Sequence, residues 1–364
     1  MSRRKSSGGS GPVTRTADAA PAGLPAQAPF GLPLETRAME AQTQEALPAD
    51  KGKWQYEPKW DGFRCLAFKE GDAVALQGRS GKPLLRYFPE VGAFVRAAPV
   101  ERFVVDGELV IEVTGRPSFE ALQMRLHPAA SRIRKLSEET PARLVLFDLL
   151  MAPDGADLRR EPLVRRRRAL EAFGRKAANP WLLVTPCTRD HTQAEAWLAG
   201  YGGTDGVVAK RLDGAYLGGE RAMIKVKRMR TADCVVGGFR YESGRRVVGS
   251  LLLGLYDDRG RLDHVGFTST IPESERRALT QQLEALRAPP GFTGRAPGGP
   301  SRWSTERTGE WEPVKPELVV EVRFDHVTDD RFRHGTRLLR WRPDKPPREC
   351  TREQIAPPTA MAAK

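Results

Sequence analysis

Tyr56-Glu57-Pro58-Lys59-Trp60-Asp61-Gly62-Phe63-Arg64 sets a lysine between two carboxylates, beside a glycine and just ahead of an apolar run, Phe63 to Phe68. Alone, Lys-x-Asp-Gly describes a charged surface turn as readily as a reactive lysine, so the neighbouring segments have to decide. In Phe103-Val104-Val105-Asp106-Gly107-Glu108-Leu109-Val110 the two-residue period of a strand puts Asp106 and Glu108 on one face, about 7 Å apart, with Phe103, Val105 and Leu109 on the other. Such a pair is either a polar outer face or a set of acceptors for a ribose hydroxyl or a hydrated divalent cation. Met223-Ile224-Lys225-Val226-Lys227 aligns two ammonium groups that repel unless an anion lies between them. Asp205, ahead of Gly206 to Lys210, adds a carboxylate at a strand mouth, and Phe147 adds a ring on the strand Leu144 to Leu150, as core or as a stacking surface.

The remaining features bound the class. With 364 residues the chain has room for about two domains with sizeable cores. No stretch of eighteen apolar residues and no leader-like apolar core are present, so neither a membrane span nor secretion is expected. Lys plus Arg outnumber Asp plus Glu by 59 to 46, a net +13, which suits a polyanionic partner; a coding bias toward arginine would give the same excess. Cys65, Cys187, Cys234 and Cys350 lie far apart without metal spacing and read as reduced thiols of a cytoplasmic protein. Gly78-Arg79-Ser80-Gly81-Lys82-Pro83 has two residues between its glycines where a phosphate loop has four, and zinc-hydrolase, serine-esterase and dinucleotide motifs are absent.

Along the chain, residues 1–30 form a basic tail rich in Ser, Gly, Ala and Pro, for which disorder is expected. Residues 31–229 alternate short apolar strands with helical stretches, an α+β domain. From 230 to 352 strands are expected at 232–240, 248–256, 262–268, 317–325 and 336–342, with a helix from Glu273 to Arg287 and a Pro/Gly-rich loop at 288–313. Five strands and one helix fit an all-β OB-fold barrel. Residues 353–364 read as a second tail.

In this order the segments resemble the six motifs of the covalent nucleotidyltransferase superfamily, which contains ATP-dependent DNA ligases and messenger-RNA capping enzymes. The likeness is to stand-alone bacterial ATP-dependent DNA ligases of the C type and to the ligase module of ligase D. It runs from about Tyr56 to Thr351 and includes Gln77 to Glu90, Ser118 to Arg134 and Arg340-Trp341-Arg342-Pro343-Asp344-Lys345. The resemblance implies an ATP-grasp-like nucleotidyltransferase (adenylation) domain followed by the OB-fold.

It also implies the site. Lys59 would be the nucleophile that takes AMP from ATP, with Asp61, Lys225 and Lys227 completing the catalytic set. Glu57 would read adenine through its backbone, Phe147 would stack on the base, and Arg64 and Glu108 would hold the ribose. Arg79 would contact the nucleotide and the 5′-phosphate of the nick, and Arg342, Asp344 and Lys345 would orient departing pyrophosphate. Asp205, with Glu108, would hold a divalent metal, Mg or Mn. The family's usual residue at position 205 is Glu, so metal preference stays open. The metal, Lys225 and Lys227 are expected to favour the neutral, attacking amine of Lys59.

The implied reaction is nick sealing in double-stranded DNA, in repair or end joining, by a monomer with a possible Ku-like partner and no membrane. The helical DNA-binding domain of larger ligases is missing, so the Arg165 to Arg168 run is a candidate phosphate contact, or a solvated helix face. The alternatives are an RNA ligase or GTP-using capping enzyme and a non-catalytic OB-type scaffold. Intact Lys59, Asp61, Glu108, Lys225 and Lys227 favour a working enzyme.

Overall fold

The computed structural model describes residues 30–50, 52–201, 204–298 and 310–356. The expected tails at 1–29 and 357–364 lie outside the described residues.

Two sheets face each other in the first half of the chain. The larger runs Ala73–Gly78, Phe63–Glu70, Arg102–Val110, Arg143–Met151, Leu182–Val184, antiparallel except at its last pair. The smaller runs Ala41–Gln44, Met223–Lys227, Gly206–Arg211, Trp54–Pro58, with its first pair parallel. Alternation sorts the strand residues into layers. Phe103, Val105 and Leu109 enter a core with Phe88, Val91, Leu122, Leu170 and Phe173, under helices Pro89–Ala97, Phe119–Arg125 and Leu163–Ala177. Leu66, Phe68, Val104 and Met223 form a second core between the sheets. Val207, Ala209 and Val226 pack beneath helix His191–Gly200, through Ala194 and Trp197.

Lys59 to Gly62 is the link by which the chain leaves the smaller sheet at Pro58 and enters the larger at Phe63. Gly62 is required there, because a Cβ would stand 2.0 Å from the Leu109 carbonyl oxygen and 2.9 Å from Glu108 Cγ. Gly206 answers the same demand opposite, since a Cβ would lie 2.1 Å from the Val226 carbonyl oxygen.

The second half is one curved sheet in the order Leu262–Thr268, Val248–Tyr256, Arg230–Tyr241, Val319–Phe324, Arg337–Trp341, to which Glu312–Pro313 adds a short pairing. Helix Glu273–Ala285 packs on it through Leu279, Thr280 and Leu283. The expected OB-fold barrel does not close into a continuous ladder among the described residues. The edge strands meet through one parallel bridge, Thr268 to Thr336, and the Thr336 N–H and Thr268 hydroxyl bonds across it, without a continuous ladder. Residues 352–355 form a 3-10 turn with Ile355 in the core, and Arg230 donates to the carbonyls of Gln354 and Ala356. The stretch 353–356 is therefore part of this body rather than a tail.

The arginine run also needs correcting. The inward stripe of helix Leu163–Ala177 is Leu163, Arg166, Arg167, Leu170, Phe173 and Ala177, so two of the four arginines fall on it. Arg166 is fully buried and forks onto Asp148 at 2.8 and 3.1 Å, while Arg167 bonds Glu171 and the Thr185 carbonyl. Arg165 and Arg168 alone remain exposed. Removing one member of the buried Arg166–Asp148 pair strands the other charge. Arg166→Ala should therefore lower unfolding free energy by about 3–5 kcal/mol, against under about 1 kcal/mol for Arg165→Ala, in urea titrations. Equal midpoints for the two variants would contradict the burial argument.

Candidate active site

The two sheets converge on Lys59. Its N–H donates to the Gly206 carbonyl at 2.9 Å and its carbonyl accepts from Asp205 N–H at 3.1 Å, which pins the crossover backbone to the strand mouth. Trp60 anchors the next position by donating from Nε1 to Thr185 Oγ1 at 2.9 Å. Lys59 Nζ lies 2.8 Å from both carboxylate oxygens of Asp205. Burial pulls the Lys59 ammonium down, but Asp205, helped by Glu108 and Asp61, more than offsets it, so the group is held above its ordinary value. Among the chain's own groups, the carboxylates outweigh the neighbouring cations at Lys59.

Beside it opens a cleft of about 230 Å³ lined by Glu57, Lys59, Arg64, Glu108, Phe147 and Lys225, among others, with Glu40 and Arg79 also on its wall. Two cations lie near the Phe147 ring, the Arg64 guanidinium at 4.6 Å and Lys210 Nζ at 4.8 Å from its centre. Glu57 has its side chain committed to Lys210 and Gln55, each at 2.8 Å. Burial pushes Glu108 up to about 7, although Arg64 and Lys59 pull the other way. Lys225 faces the cleft without an ion-pair partner among the described residues; burial, then Lys59, Lys227, Arg79 and Arg221, depress its ammonium. A group in that position is suited to meeting anionic oxygens.

Asp106 takes neither of its expected roles. It is fully buried and receives Arg64 Nε at 2.6 Å, Arg64 Nη2 at 2.5 Å and the Tyr216 hydroxyl at 2.6 Å. Tyr216 in turn accepts the Met39 N–H at 2.9 Å, and Arg64 donates to the Met39 carbonyl. Asp106 thus fixes Arg64 from below, and Tyr216 is a positioning residue that the sequence did not reveal.

Other expected members stand apart from the cleft. Arg342 pairs with Asp344 and, at 2.8 Å, with Asp233, while Lys345 pairs with Glu349. Instead, the second sheet presents a short hairpin, Val327–Thr328 against Arg331–Phe332, turned by Asp329 and Asp330 at φ 50 and 57. From its flanks Arg333 donates to Asp61 at 2.5 Å and lies 3.6 Å over the Phe119 ring centre. Asp325 bonds Lys227 and also meets His334 at 3.0 Å. Asp61 and Lys227 are therefore bound by the second half of the chain.

Asp205 contacts Lys59 while Glu108 and Asp61 act on it through space, and no cluster of three or more His, Cys, Asp or Glu suited to a metal occurs among the described residues. Two carboxylates suit a magnesium-like ion, which is commonly bound through one or two carboxylates plus water and substrate phosphates.

A pinned lysine, an aromatic ring and converging cations fit a site for a phosphorylated nucleotide, and comparison with known proteins assigns the family. Residues 36–227 match the ATP dependent DNA ligase domain and residues 244–345 the ATP dependent DNA ligase C terminal region. DNA ligase C1 of Mycolicibacterium smegmatis is 43% identical over 346 residues, covering 92% of this chain and 96% of that protein. The multifunctional non-homologous end joining DNA repair protein LigD of Mycobacterium tuberculosis is 33% identical over 310 residues, 83% of this chain but 38% of that longer one. In fold, the chain is similar to a solved Lig E DNA ligase described as a minimal scaffold, with TM-score 0.52 and 18% identity over 84% of this chain and 99% of that one. The chain belongs to the ATP-dependent DNA ligases.

Tyr216→Phe keeps the ring and deletes one donor to a buried carboxylate. It should cost about 1–3 kcal/mol of stability and raise the ATP concentration needed for half-maximal self-adenylation, with the limiting rate little changed. An unaltered ATP requirement would show that the Tyr216–Asp106–Arg64 chain does not reach the nucleotide.

Proposed function

We propose that Lys59 is the residue that becomes adenylated, and that the protein then seals 5′-phosphate/3′-hydroxyl nicks in duplex DNA. The observation that carries this is the pinning of Lys59 at the junction of two sheets, its amine in contact with Asp205 and beside a cleft holding Phe147, Arg64, Glu108 and Lys225. Adenine would stack on Phe147 and, because the Glu57 side chain is committed, meet only the backbone of Glu57. Arg64 and Glu108 would hold the ribose. Lys59 gives up its proton to water, and its Nζ forms a bond to the α-phosphorus as the bond to pyrophosphate breaks, with Asp205 orienting the amine. Lys225 faces the oxygens that gain charge, and the rest of the catalysis is alignment. Asp205 and Glu108 would hold a divalent metal, Mg or Mn, which would neutralise phosphate charge. AMP then passes from Lys59 to the 5′-phosphate, and the 3′-hydroxyl displaces it.

The second half of the chain reads as an OB-fold whose two ends serve different steps. With Arg333 on Asp61 and Asp325 on Lys227, Arg342, Asp344 and Lys345 are turned away from the cleft. The link at 228–229 is the hinge about which they would swing in to meet pyrophosphate. We infer a monomeric cytoplasmic, nucleoid-associated enzyme acting in DNA repair or end joining, where a Ku-like end-binding protein would be its partner; among the described residues no helix is long and apolar enough to cross a membrane.

The test is incubation with α-labelled ATP and metal, then with nicked duplex, on denaturing gels. Wild type should acquire label and lose it as AMP while a longer strand appears, and Lys59→Ala should acquire none. Arg333→Ala should adenylate near the wild-type rate and seal at least about tenfold more slowly, a barrier change of about 1.4 kcal/mol. Label on Lys59→Ala would remove that residue from the nucleophile's role.

A further inference from the structure

Arg79, at the mouth of the nucleotide cleft, holds Glu40 in a fork, Nη2 to Oε2 at 2.7 Å and Nε to Oε1 at 3.2 Å. A carboxylate received in this way occupies the geometry that a phosphate also takes on a guanidinium. The surroundings carry more positive charge than Glu40 balances. Glu40 N–H donates to the Glu220 carbonyl at 2.7 Å and its carbonyl accepts from Met223 N–H at 3.1 Å, which sets Arg221 on the chain beside it. Gly219 N–H donates to the Ala38 carbonyl, and the Arg37 guanidinium lies so close over Gly219 that a Cβ there would stand 3.2 Å away.

Arg37, Arg79 and Arg221 all act on the Glu40 carboxylate, which they hold below its usual range, the Arg79 hydrogen bond contributing most. Only Arg79 bonds it. Arg37 and Arg221 are exposed and make no hydrogen bond or ion pair with another described residue. Arg37 stands between this rim and a second cavity of about 820 Å³, where Arg159 and Arg160 face Glu35, Asp157 and Glu220. That cavity has no cationic surplus, so the surplus is confined to the rim, where Lys225 also faces inward.

We propose that the Glu40 carboxylate holds the place of a phosphate. Arg79, on which the family resemblance already places the 5′-phosphate of the nick, releases Glu40 when that phosphate arrives, and Arg221 and Arg37 add their charge to the same rim. The inference rests on the ligase reading and deepens it. An exposed ion pair is weak enough to be exchanged for a more highly charged dianion, whereas a 5′-hydroxyl end offers nothing to exchange. Glu40 therefore competes with the incoming phosphate and weakens its docking, and it leaves the binding of a 5′-hydroxyl end unchanged.

The test uses the full chain, freed of AMP with pyrophosphate, and fluorescence anisotropy on nicked duplexes ending in 5′-phosphate or 5′-hydroxyl across a salt series. Glu40→Gln, close in size but uncharged, should bind the phosphorylated nick roughly two- to fivefold more tightly and the hydroxyl nick as wild type does. Arg221→Ala should weaken the phosphorylated nick and lower the slope of log K against log salt by about one. Equal changes on both nicks for Glu40→Gln, weaker binding by that variant, or an unchanged salt slope for Arg221→Ala would overturn the proposal. Failure of the ligase reading would show separately, as wild-type protein that neither adenylates nor seals.

Discussion

The arrangement depends on one short link being held from both sides. Lys59 leaves the smaller sheet and is bonded through its N–H to Gly206, through its carbonyl to Asp205 N–H and through its amine to the Asp205 carboxylate. Three bonds to one neighbouring turn leave the side chain little freedom, and Gly62 lets the chain pass directly over Leu109 into the larger sheet. The cleft exists because the two sheets diverge from this point, so Glu108 and Phe147 from one and Lys225 from the other face a common space. Moving the link would move the nucleophile and both walls together.

Charge is distributed in the cleft in a way that keeps the site at rest. Every catalytic candidate with a mobile charge has a substitute partner: Lys59 has Asp205, Asp61 has Arg333, Lys227 has Asp325 and Arg79 has Glu40. Lys225 and Glu108 are the exceptions among the described residues of the cleft, each without a hydrogen bond or ion pair there. Unmet charges in a half-buried cleft cost free energy, so internal partners stabilise the unliganded form, and a polyanionic substrate has to replace them. Two of those partners come from the second half of the chain, which links substrate binding to the position of that half.

Much of this was legible in residue order. Strand periodicity put Glu108 on one face of Arg102–Val110 and the core residues on the other, and Lys59 and Arg64 from one segment line one cleft with Arg79, Phe147 and Lys225 from three others. What escaped depends on contacts between distant positions. Tyr216 reaches Asp106 across 110 residues, and Arg333 reaches Asp61 across 272, distances over which no local period operates. Arg166 was hidden by composition, since four consecutive arginines look alike until the Leu163, Leu170, Phe173 stripe shows which of them turn inward. The open edge between Leu262–Thr268 and Arg337–Trp341 could not be read at all, because strand count carries no information on closure.

The most direct measurement is the position of the covalent AMP. Wild-type protein labelled with ATP should be digested at a pH that preserves phosphoramidates and mapped by tandem mass spectrometry. AMP confined to the peptide containing Lys59, carried on its side-chain nitrogen, is the result this account predicts. AMP on Lys225, Lys227 or Lys210, with Lys59 unmodified, would contradict it.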